Sequence, residues 1–490
     1  METHSQRKRT RLPRSYQNLD FACGVLILLI IVLSPWLFGT TERWSVLTLS
    51  VAGLLLGLST LGKAVIRRSR HLEDCLLDTG ASSFRRSLTI VFFLGSSLLL
   101  LFAFISALNA RATYIPQENR FEYHEFISWL PFSYDRARSW QMFWMYAGLA
   151  GFFWGLFDWI HGRTGDERHE NAGRQPVLPG RLKMLLWILS LNGALLALEG
   201  ILQRLSGTTK LLWLREGYWD HPLSSFASFS YRGNAAQYFN LVWPMTLGLW
   251  WCLQQEAAHS TRMRVGSGPH ILLLPFVILM TVAAIYTSSR GGMIICAGLL
   301  LASVVMLLFF GGKTNRFVKV TLISLLLIGL GGGVYLSGHV LRARIGGNQQ
   351  QNIEPRAEIY KNAQKIITDY PWYGTGPGSF AAIYQLYRED SSEVWHAYLH
   401  NDWLEMRVNF GWIGFVLALA LLGIVITKSF LPAGLIVPRP FQSLLLLNLG
   451  GILLHARFDF PLQIYSTLLL VFLVSCLLFA SSPRSALQRG

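Results

Sequence analysis

The sequence predicts an all-α polytopic membrane protein with about twelve transmembrane helices and a long, partly helical loop on the outer side of the membrane. Charged residues make up only 14% of the 490 positions, whereas soluble domains carry about a quarter. Long uncharged stretches alternate with short charged ones along the whole chain. Alternation of this kind is typical of membrane spans separated by loops.

The apolar stretches are each long enough to cross a bilayer, which takes about twenty helical residues. We predict spans at residues 21–39, 46–62, 87–108, 138–158, 183–206, 235–254, 270–287, 293–310, 317–338, 409–428, 441–455 and 461–480. The first stretch follows basic residues, as in a signal peptide, but it is long enough to span and no small-residue cleavage site follows it. We therefore expect it to remain as the first transmembrane helix.

Lysine and arginine concentrate in alternate loops, and this fixes the predicted orientation. The basic stretches are residues 7–14, 63–86, 162–183, 262–264, 313–319, 428–439 and 484–489. The positive-inside rule assigns these stretches, and with them both termini, to the cytoplasm. The net charge of +16 then reflects topology and contact with anionic lipid, and no nucleic-acid-binding motif is found.

This topology divides the chain into tails, transmembrane helices and loops. The parts are a cytoplasmic tail (1–20), transmembrane helices (21–338), a long outer loop (339–408), further transmembrane helices (409–480) and a second tail (481–490). Two shorter outer loops, 109–137 and 207–234, are rich in tryptophan and tyrosine, as membrane interfaces are. Four of the five cysteines fall within spans and Cys75 falls in a basic loop, so we expect no disulfide.

The long outer loop contains a predicted amphipathic helix. Pro355 suits a first helical turn, and Ile359 and Ile366 then share one face. The residue before Pro371 disfavours helix, so the helix is predicted to end there. The glycine-rich turn at 374–378 lacks the Gly-Lys-Ser/Thr of a nucleotide-binding loop, so we expect no nucleotide cofactor.

Two histidines near the end of this loop are candidates for chemistry. If residues 395–403 are helical, His396 and His400 share a face at i, i+4 spacing. A zinc site of the metalloprotease type needs glutamate after the first histidine, but Ala397 stands there. Structural histidines at a membrane interface are a second interpretation. General acid or base work, which suits a side chain that titrates near neutrality, is the third.

Arginines on the predicted outer side form a candidate anion site. Arg290 lies in a Ser-Ser-Arg-Gly-Gly break between two spans, where the glycines allow a ligand to approach closely. Its planar guanidinium suits phosphate oxygens. We expect it to form an electropositive pocket with further outer-side cations, unless these are membrane anchors or solvated loop residues. The further cations are Arg232, Arg342, Arg344, Arg356 and Arg388. Glu199, near the outer end of a span, is interpreted as lining the pocket rather than as part of a proton relay.

Four stretches carry a resemblance to a known family, and they occur in order within residues 190–430. They are Phe229–Asn234 with Leu241–Pro244, Ser288–Gly292, Arg356–Pro371 with Gly374–Gly378, and His396–Asp402 with Asn409–Gly414. Their residues and their order resemble the superfamily of O-antigen ligases and Wzy-type polymerases of the bacterial envelope.

The resemblance implies a metal-independent glycosyltransferase, without a cofactor, in the bacterial inner membrane. Such an enzyme takes a glycan from an undecaprenyl-pyrophosphate carrier at the periplasmic face and moves it to an acceptor hydroxyl on a glycan or on lipid A-core. The resemblance also implies that His400 assists the attacking hydroxyl and that Arg290 and Arg356 hold the pyrophosphate. We expect the remaining substrate contacts from Arg232, Asn234, His396 and Asn401.

The resemblance does not separate an O-antigen ligase from a polysaccharide polymerase or a protein glycosylase, and ligase is the working prediction. A transporter of lipid-linked sugar is the alternative from another class. A transporter needs polar groups along a path through the membrane midplane, whereas a transferase gathers them at one face. The predicted positions of His400, Arg290 and Arg356 favour the transferase.

Overall fold

The structure is a computed structural model and covers most of the chain. It describes residues 12–70, 83–162, 177–217, 223–258, 268–310, 316–345, 354–389, 395–431 and 436–480. Features named from the sequence that lie wholly outside these ranges include the basic residues 7–11 and 262–264, Cys75 and the predicted tail 481–490. Parts of the other basic stretches and of the long outer loop also lie outside them.

Helices account for most of the described chain. They are α1 (Arg14–Trp36), α2 (Arg43–Ser69), α3 (Ser83–Leu108), α4 (Arg136–Ile160), α5 (Gly180–Leu205), α6 (Arg232–Ala258), α7 (Leu273–Tyr286), α8 (Arg290–Phe310), α9 (Arg316–Ile345), α10 (Glu354–Asp369), α11 (Phe380–Tyr387), α12 (Asp402–Phe430), α13 (Arg439–His455) and α14 (Tyr465–Phe479). Short 3-10 turns lie at Phe38–Thr40, Pro269–Leu272 and Pro461–Gln463. Small antiparallel hairpins pair β1 (Ala112–Ile115) with β2 (Arg120–Tyr123) and β3 (Lys210–Leu211) with β4 (Arg215–Glu216).

Every predicted span overlaps one of these helices. Within the described ranges, eight helices are long and apolar enough to cross a membrane: α1, α2, α3, α5, α7 with its preceding turn, α8, α9 and α12. Helix α4, which is rich in aromatic residues and glycine, and helix α6, which is more polar, have the length but are not among these eight, and α13 and α14 are shorter. The chain is therefore an all-α protein with several membrane-compatible helices.

Helix α6 tolerates polar residues because neighbouring helices surround it. It is buried along nearly its whole length among α5, α7, α8, α13 and α14. Asn240 Nδ2 donates to the Gly292 carbonyl oxygen at 3.0 Å, and Asn448 Nδ2 donates to the Leu241 carbonyl oxygen at 2.6 Å. These bonds tie α6 to the first turn of α8 and to α13.

The two ends of the helix bundle differ in their chemistry. At one end, the buried Lys63 Nζ lies 2.6 Å from Asp20 Oδ1 and 2.5 Å from Asp158 Oδ2. At the other end, segments predicted as outer loops pack together, and the Tyr134 amide donates to the Thr375 carbonyl oxygen at 2.9 Å. The candidate functional residues lie at this second end.

Helix α10 is the amphipathic helix that the sequence predicts in the long loop. Its apolar face, Ile359, Ala363 and Ile366, is buried in a second hydrophobic core. That core also takes side chains from α11 and from the segment between α3 and α4. Residues 354–389 of the long loop therefore pack as a compact unit with the segment between α3 and α4.

The glycine-rich turn after α10 packs against a kink in α12. The Thr375 and Gly376 amides donate to the carbonyl oxygens of Val408 and Asn409 at 2.8 and 3.0 Å. Gly411 has φ 60° and ψ −160°, which breaks the helix there. A Cβ atom at Gly411 would come within 2.3 Å of the Trp372 carbonyl oxygen, so glycine is needed for the close approach. Two of the stretches that carry the family resemblance therefore pack directly against each other.

Candidate active site

His400 is held in an unusual backbone conformation directly before α12. Its φ is 55°, in the left-handed region that few non-glycine residues adopt. The Tyr360 hydroxyl donates to the His400 carbonyl oxygen at 2.9 Å, and Asn401 caps α12 by accepting from the Leu404 amide at 3.3 Å. Strained residues of this kind cluster at functional sites, where surrounding contacts fix a side chain in one orientation.

The imidazole of His400 pairs with a carboxylate that sequence reasoning missed. His400 Nδ1 lies 3.1 Å from Asp459 Oδ1, in the segment between α13 and α14. The Phe460 amide donates to the same oxygen, and the Tyr231 hydroxyl donates to Asp459 Oδ2, each at 3.1 Å. An acceptor at this position favours the imidazole tautomer with its proton on Nδ1, which leaves Nε2 free to accept a proton.

Asp459 is buried yet remains ionised at neutral pH. Burial alone would raise the pKa of its carboxyl. The hydrogen bond from His400 and the electrostatic interactions with the neighbouring histidines and Arg356 outweigh burial, and they hold the pKa of Asp459 below its ordinary value. The carboxylate therefore carries a full charge with which to stabilise a protonated imidazole.

Aromatic rings fix the plane of the His400 imidazole. Phe460 meets it edge-on at 4.8 Å between ring centres, and Tyr398 and Tyr231 stack on Phe460 at 4.4 and 5.1 Å. The His400 side chain keeps 28% of its surface exposed. The ring is thus oriented by its neighbours and still accessible to a ligand.

A second histidine connects this pair to the start of α8. His455 Nδ1 lies 2.7 Å from Gln237 Oε1 of α6, and its Nε2 lies 3.9 Å from Asp459 Oδ2. A Cβ atom at Gly291 would meet His455 Nε2 at 2.7 Å, so the backbone after Arg290 packs directly on this histidine. Arg290, the exposed first residue of α8, therefore begins its helix beside the His455–Asp459 contact.

Two further predicted arginines act on the same cluster. Arg356 Nη1 donates to the Phe458 carbonyl oxygen at 3.1 Å, one residue before Asp459. Burial and the charge of Asp459 raise the pKa of Tyr231, whereas the charges of Arg356 and Arg232 lower it. Arg232 is the first residue of α6, and its Nη1 donates to the Leu223 carbonyl oxygen at 2.7 Å.

The N-termini of three helices carry these arginines. Helices α6 and α8 begin at Arg232 and Arg290, and α10 begins two residues before Arg356. Free amide groups and the helix dipole make an N-terminus favourable for anions. The arginines and the helix ends together make this cluster suited to a phosphate-bearing ligand.

The remaining predicted site residues take different positions. Residues 395–399 are not helical, so His396 and His400 do not share the helical face considered from the sequence. The His396 ring instead lies 5.5 Å from Tyr384 in the second core. Asn401 serves as the cap of α12, and Asn234 is buried in the first turn of α6.

The two residues most important to the geometry had weak sequence signals. Asp459 is a single carboxylate between two apolar spans, and nothing near it in the chain indicates its partner. Tyr231 lies within one of the stretches that carry the resemblance, but its hydroxyl bond to Asp459 depends on tertiary packing.

An apolar cavity of about 260 Å³ adjoins the cluster, between α3, α4, α12, α13 and α14. Its lining includes Met406, one turn along α12 from Asp402, and Leu462, three residues after Asp459. In the part of the chain that the structure describes, no group of three or more His, Cys, Asp or Glu side chains is arranged to hold a metal ion.

Comparison with known proteins gives one family match. No curated protein matches the chain. Residues 275–419 match the family model described as O-Antigen ligase, which covers Arg290, Arg356 and His400 but neither Tyr231 nor Asp459. This domain and the apolar helices together support a multi-pass membrane protein of polysaccharide biosynthesis. The resemblance seen in the sequence is thereby confirmed over residues 275–419, whose match supports the O-antigen ligase superfamily.

Proposed function

We propose that this protein transfers a glycan from an undecaprenyl-pyrophosphate carrier to an acceptor hydroxyl at the periplasmic face of the inner membrane. The observation that carries the proposal is the His400–Asp459 pair, with arginine-bearing helix N-termini beside it. The family match supports a ligase or polymerase type of function. We favour the ligase reaction, and the transfer uses neither metal nor nucleotide.

His400 is the general base in this proposal. Asp459 accepts the Nδ1 proton, and Nε2 takes the proton of the acceptor hydroxyl as that oxygen attacks the anomeric carbon. The new glycosidic bond forms while the bond from carbon to the pyrophosphate oxygen breaks. The Asp459 carboxylate stabilises the imidazolium produced, which afterwards returns its proton to solvent.

The arginines stabilise the leaving group. Arg290, Arg356 and Arg232 neutralise the charge that develops on pyrophosphate as its bond to the sugar breaks. The guanidinium fork matches phosphate oxygens in pairs, and the positive ends of the neighbouring helix dipoles favour an anion there. Asn234, Asn401 and His396 remain proposed substrate contacts, although Asn401 also caps α12.

The membrane placement follows from the same assignment. We propose about twelve spans with both termini in the cytoplasm and the Asp459 end of the bundle in the periplasm. The apolar cavity beside Met406 and Leu462 then offers space for the polyprenyl chain of the donor. A transporter is less favoured because His400, Asp459 and Arg356 gather at one end of the bundle rather than along its middle.

A test in cells compares surface glycan when the only copy of the protein carries His400→Ala. We expect loss of full-length glycan and accumulation of undecaprenyl-linked precursor, because proton removal from the acceptor fails. His124→Ala is a matched control, since His124 lies in another loop at the same end, with its ring bonded to Thr113. Normal surface glycan from correctly inserted His400→Ala protein would exclude His400 as the base.

A further inference from the structure

The loop between α3 and α4 contains an aromatic surface that the O-antigen ligase match does not cover. Its strands β1 and β2 pair Ala112 with Tyr123 and Tyr114 with Phe121, so these side chains share one face of the hairpin. Thr113 and Glu122 lie opposite each other on the other face. The hairpin thus has one aromatic and one polar face.

The aromatic rings form a continuous series, which we call the aromatic shelf (Tyr123, Phe121, Tyr114 and Trp395). Ring centres are 6.1 Å apart for Tyr123 and Phe121, and 5.0 Å apart for Phe121 and Tyr114. Tyr114 then stacks on Trp395 at 5.7 Å with 24° between the ring planes. Tyr114 is only 5% exposed, whereas Tyr123 is 58% and Trp395 40% exposed. A buried ring therefore supports two rings that face outward.

The shelf connects directly to the candidate active site through the chain. Trp395 precedes His400 by five residues, which span at most about 17 Å even when fully extended. The segment from Trp395 to His400 starts against the hairpin and ends against Asp459. The shelf and the Asp459 cluster therefore lie at opposite ends of one short segment.

The three arginines of the candidate site lie at the Asp459 end of that segment, whereas Arg120 of the hairpin is paired with Glu118. Arg356 contacts the residue before Asp459, and Arg232 follows Tyr231, which donates to Asp459. Arg290 begins the helix that packs on His455. At the hairpin end, the exposed surface includes the rings of Tyr123 and Trp395 as well as the polar turn that joins β1 and β2.

Direct displacement at a sugar carbon requires the attacking oxygen to approach from the face opposite the leaving group. If pyrophosphate occupies the arginine end, the acceptor must reach the anomeric carbon from the side of the hairpin. Sugar rings present a C–H face that packs on exposed aromatic rings, and their hydroxyls remain available to polar groups beside them.

We propose that the aromatic shelf binds sugar rings of the acceptor, so that the acceptor is a saccharide rather than a protein side chain. This inference rests on the proposed glycan transfer and assigns a role to the loop at 109–137. The competing explanation is that the exposed rings anchor the loop in the lipid interface, as aromatic residues often do.

The binding test uses purified His400→Ala protein in detergent, which holds ligand without turnover. The probes are core oligosaccharide and repeat-unit oligosaccharide, each released from host glycolipid by mild acid and followed by saturation-transfer NMR. We expect one of them to bind, and Trp395→Ala and Tyr123→Ala each to weaken binding about tenfold, or about 1.4 kcal/mol. Trp395→Phe and Tyr123→Phe keep a ring and should restore most of the affinity.

Trp129→Ala is the matched control. Trp129 is 71% exposed in the same outer loop but lies outside the stacked series, so its removal should leave binding unchanged. Equal losses from Trp129→Ala and the two shelf variants would assign the rings to the lipid interface and overturn the proposal. Binding of neither probe, or unchanged binding in both alanine variants, would also overturn it.

Turnover kinetics separate the acceptor from the donor in the protein that retains His400. We expect Trp395→Ala to raise KM for the saccharide acceptor about tenfold while KM for the lipid-linked donor stays unchanged. A rise confined to the donor KM would assign the shelf to the donor glycan, against the proposal. Transfer by His400→Ala protein would refute the proposed base. The binding test would still decide whether the aromatic shelf binds a saccharide, because it does not depend on which residue is the base.

Discussion

Replacing Asp459 with asparagine tests the central pair with little change in shape. The amide keeps the size of the side chain but removes the charge that faces His400 Nδ1 at 3.1 Å. A hydrogen bond to a charged group contributes about 1.5–3 kcal/mol, and about 1.36 kcal/mol corresponds to a factor of ten in rate. We therefore expect Asp459→Asn to lower kcat about 10- to 200-fold.

The loss of kcat in His400→Ala is the upper limit for the loss expected in Asp459→Asn. A general base contributes about 10²–10⁴-fold, so removal of the imidazole should cost more than removal of its charged partner. Tyr231→Phe is the matched control, because it deletes one neutral donor to Asp459 and leaves the carboxylate charged. We expect its kcat to fall only several-fold, by about 1 kcal/mol or less.

The assay is transfer of glycan from lipid-linked donor to acceptor by purified variants in proteoliposomes, with insertion checked by protease protection. The double variant His400→Ala with Asp459→Asn should be no slower than His400→Ala alone, since Asp459 acts through the imidazole. A wild-type kcat for Asp459→Asn, or full additivity in the double variant, would refute the role of the pair.

Three further predictions concern pH, packing and the leaving group. The folded-state pKa of Asp459 is lowered. Its carboxylate therefore stabilises the fold above the unfolded pKa of about 3.9, and this stabilisation is lost as pH falls through the folded value. Acid should therefore lower the melting temperature of wild type more than that of Asp459→Asn. Gly411→Ala should lower the free energy of unfolding by about 1–3 kcal/mol, because its positive φ and its close contact with Trp372 disfavour a side chain. Gly423→Ala has open space around the added Cβ and should change the free energy of unfolding by about 1 kcal/mol or less in thermal melts. Arg356→Gln should lower kcat/KM for the donor about 10- to 100-fold in the transfer assay. Arg215→Gln, which removes a half-exposed pair with Glu42 and a contact over the Phe38 ring, should leave it unchanged.

The helices were predictable because their cause is local. A stretch of about twenty apolar residues satisfies the requirement for a spanning helix wherever it occurs. The amphipathic helix α10 was predictable for the same reason, since Pro355 and the spacing of Ile359 and Ile366 are local signals. The chemistry of His400, Arg290 and Arg356 was indicated by residue type and by the resemblance.

The partners of His400 were not predictable, because they depend on tertiary contacts. Asp459 is 59 positions away in the chain, and only the packing of α13 and α14 beside α6 brings it to the imidazole. Residues 395–399 offered a plausible helical pattern, but the buried Leu399 donates its amide to the Glu405 side chain at 2.8 Å instead of continuing a helix. Tertiary contacts therefore outweighed the local spacing of His396 and His400.

Helices α4 and α6 show why mean hydropathy alone is an incomplete guide to the bundle. Both overlap predicted spans, but neither is apolar enough to be placed in a membrane by composition. Helix α6 is surrounded by other helices, so its polar side chains bond to protein groups such as the Gly292 carbonyl oxygen. The mean hydropathy of a stretch of sequence does not include this shielding by neighbouring helices.

Reconstituted transfer by the purified protein tests the central claim most directly. Wild-type protein and His400→Ala protein would be placed in liposomes with undecaprenyl-pyrophosphate-linked glycan and core oligosaccharide, in the presence of EDTA. The account predicts that wild type forms the elongated product and releases undecaprenyl pyrophosphate, and that His400→Ala forms about 10²–10⁴-fold less. Equal product from both proteins, or product only when a divalent metal is restored, would contradict it.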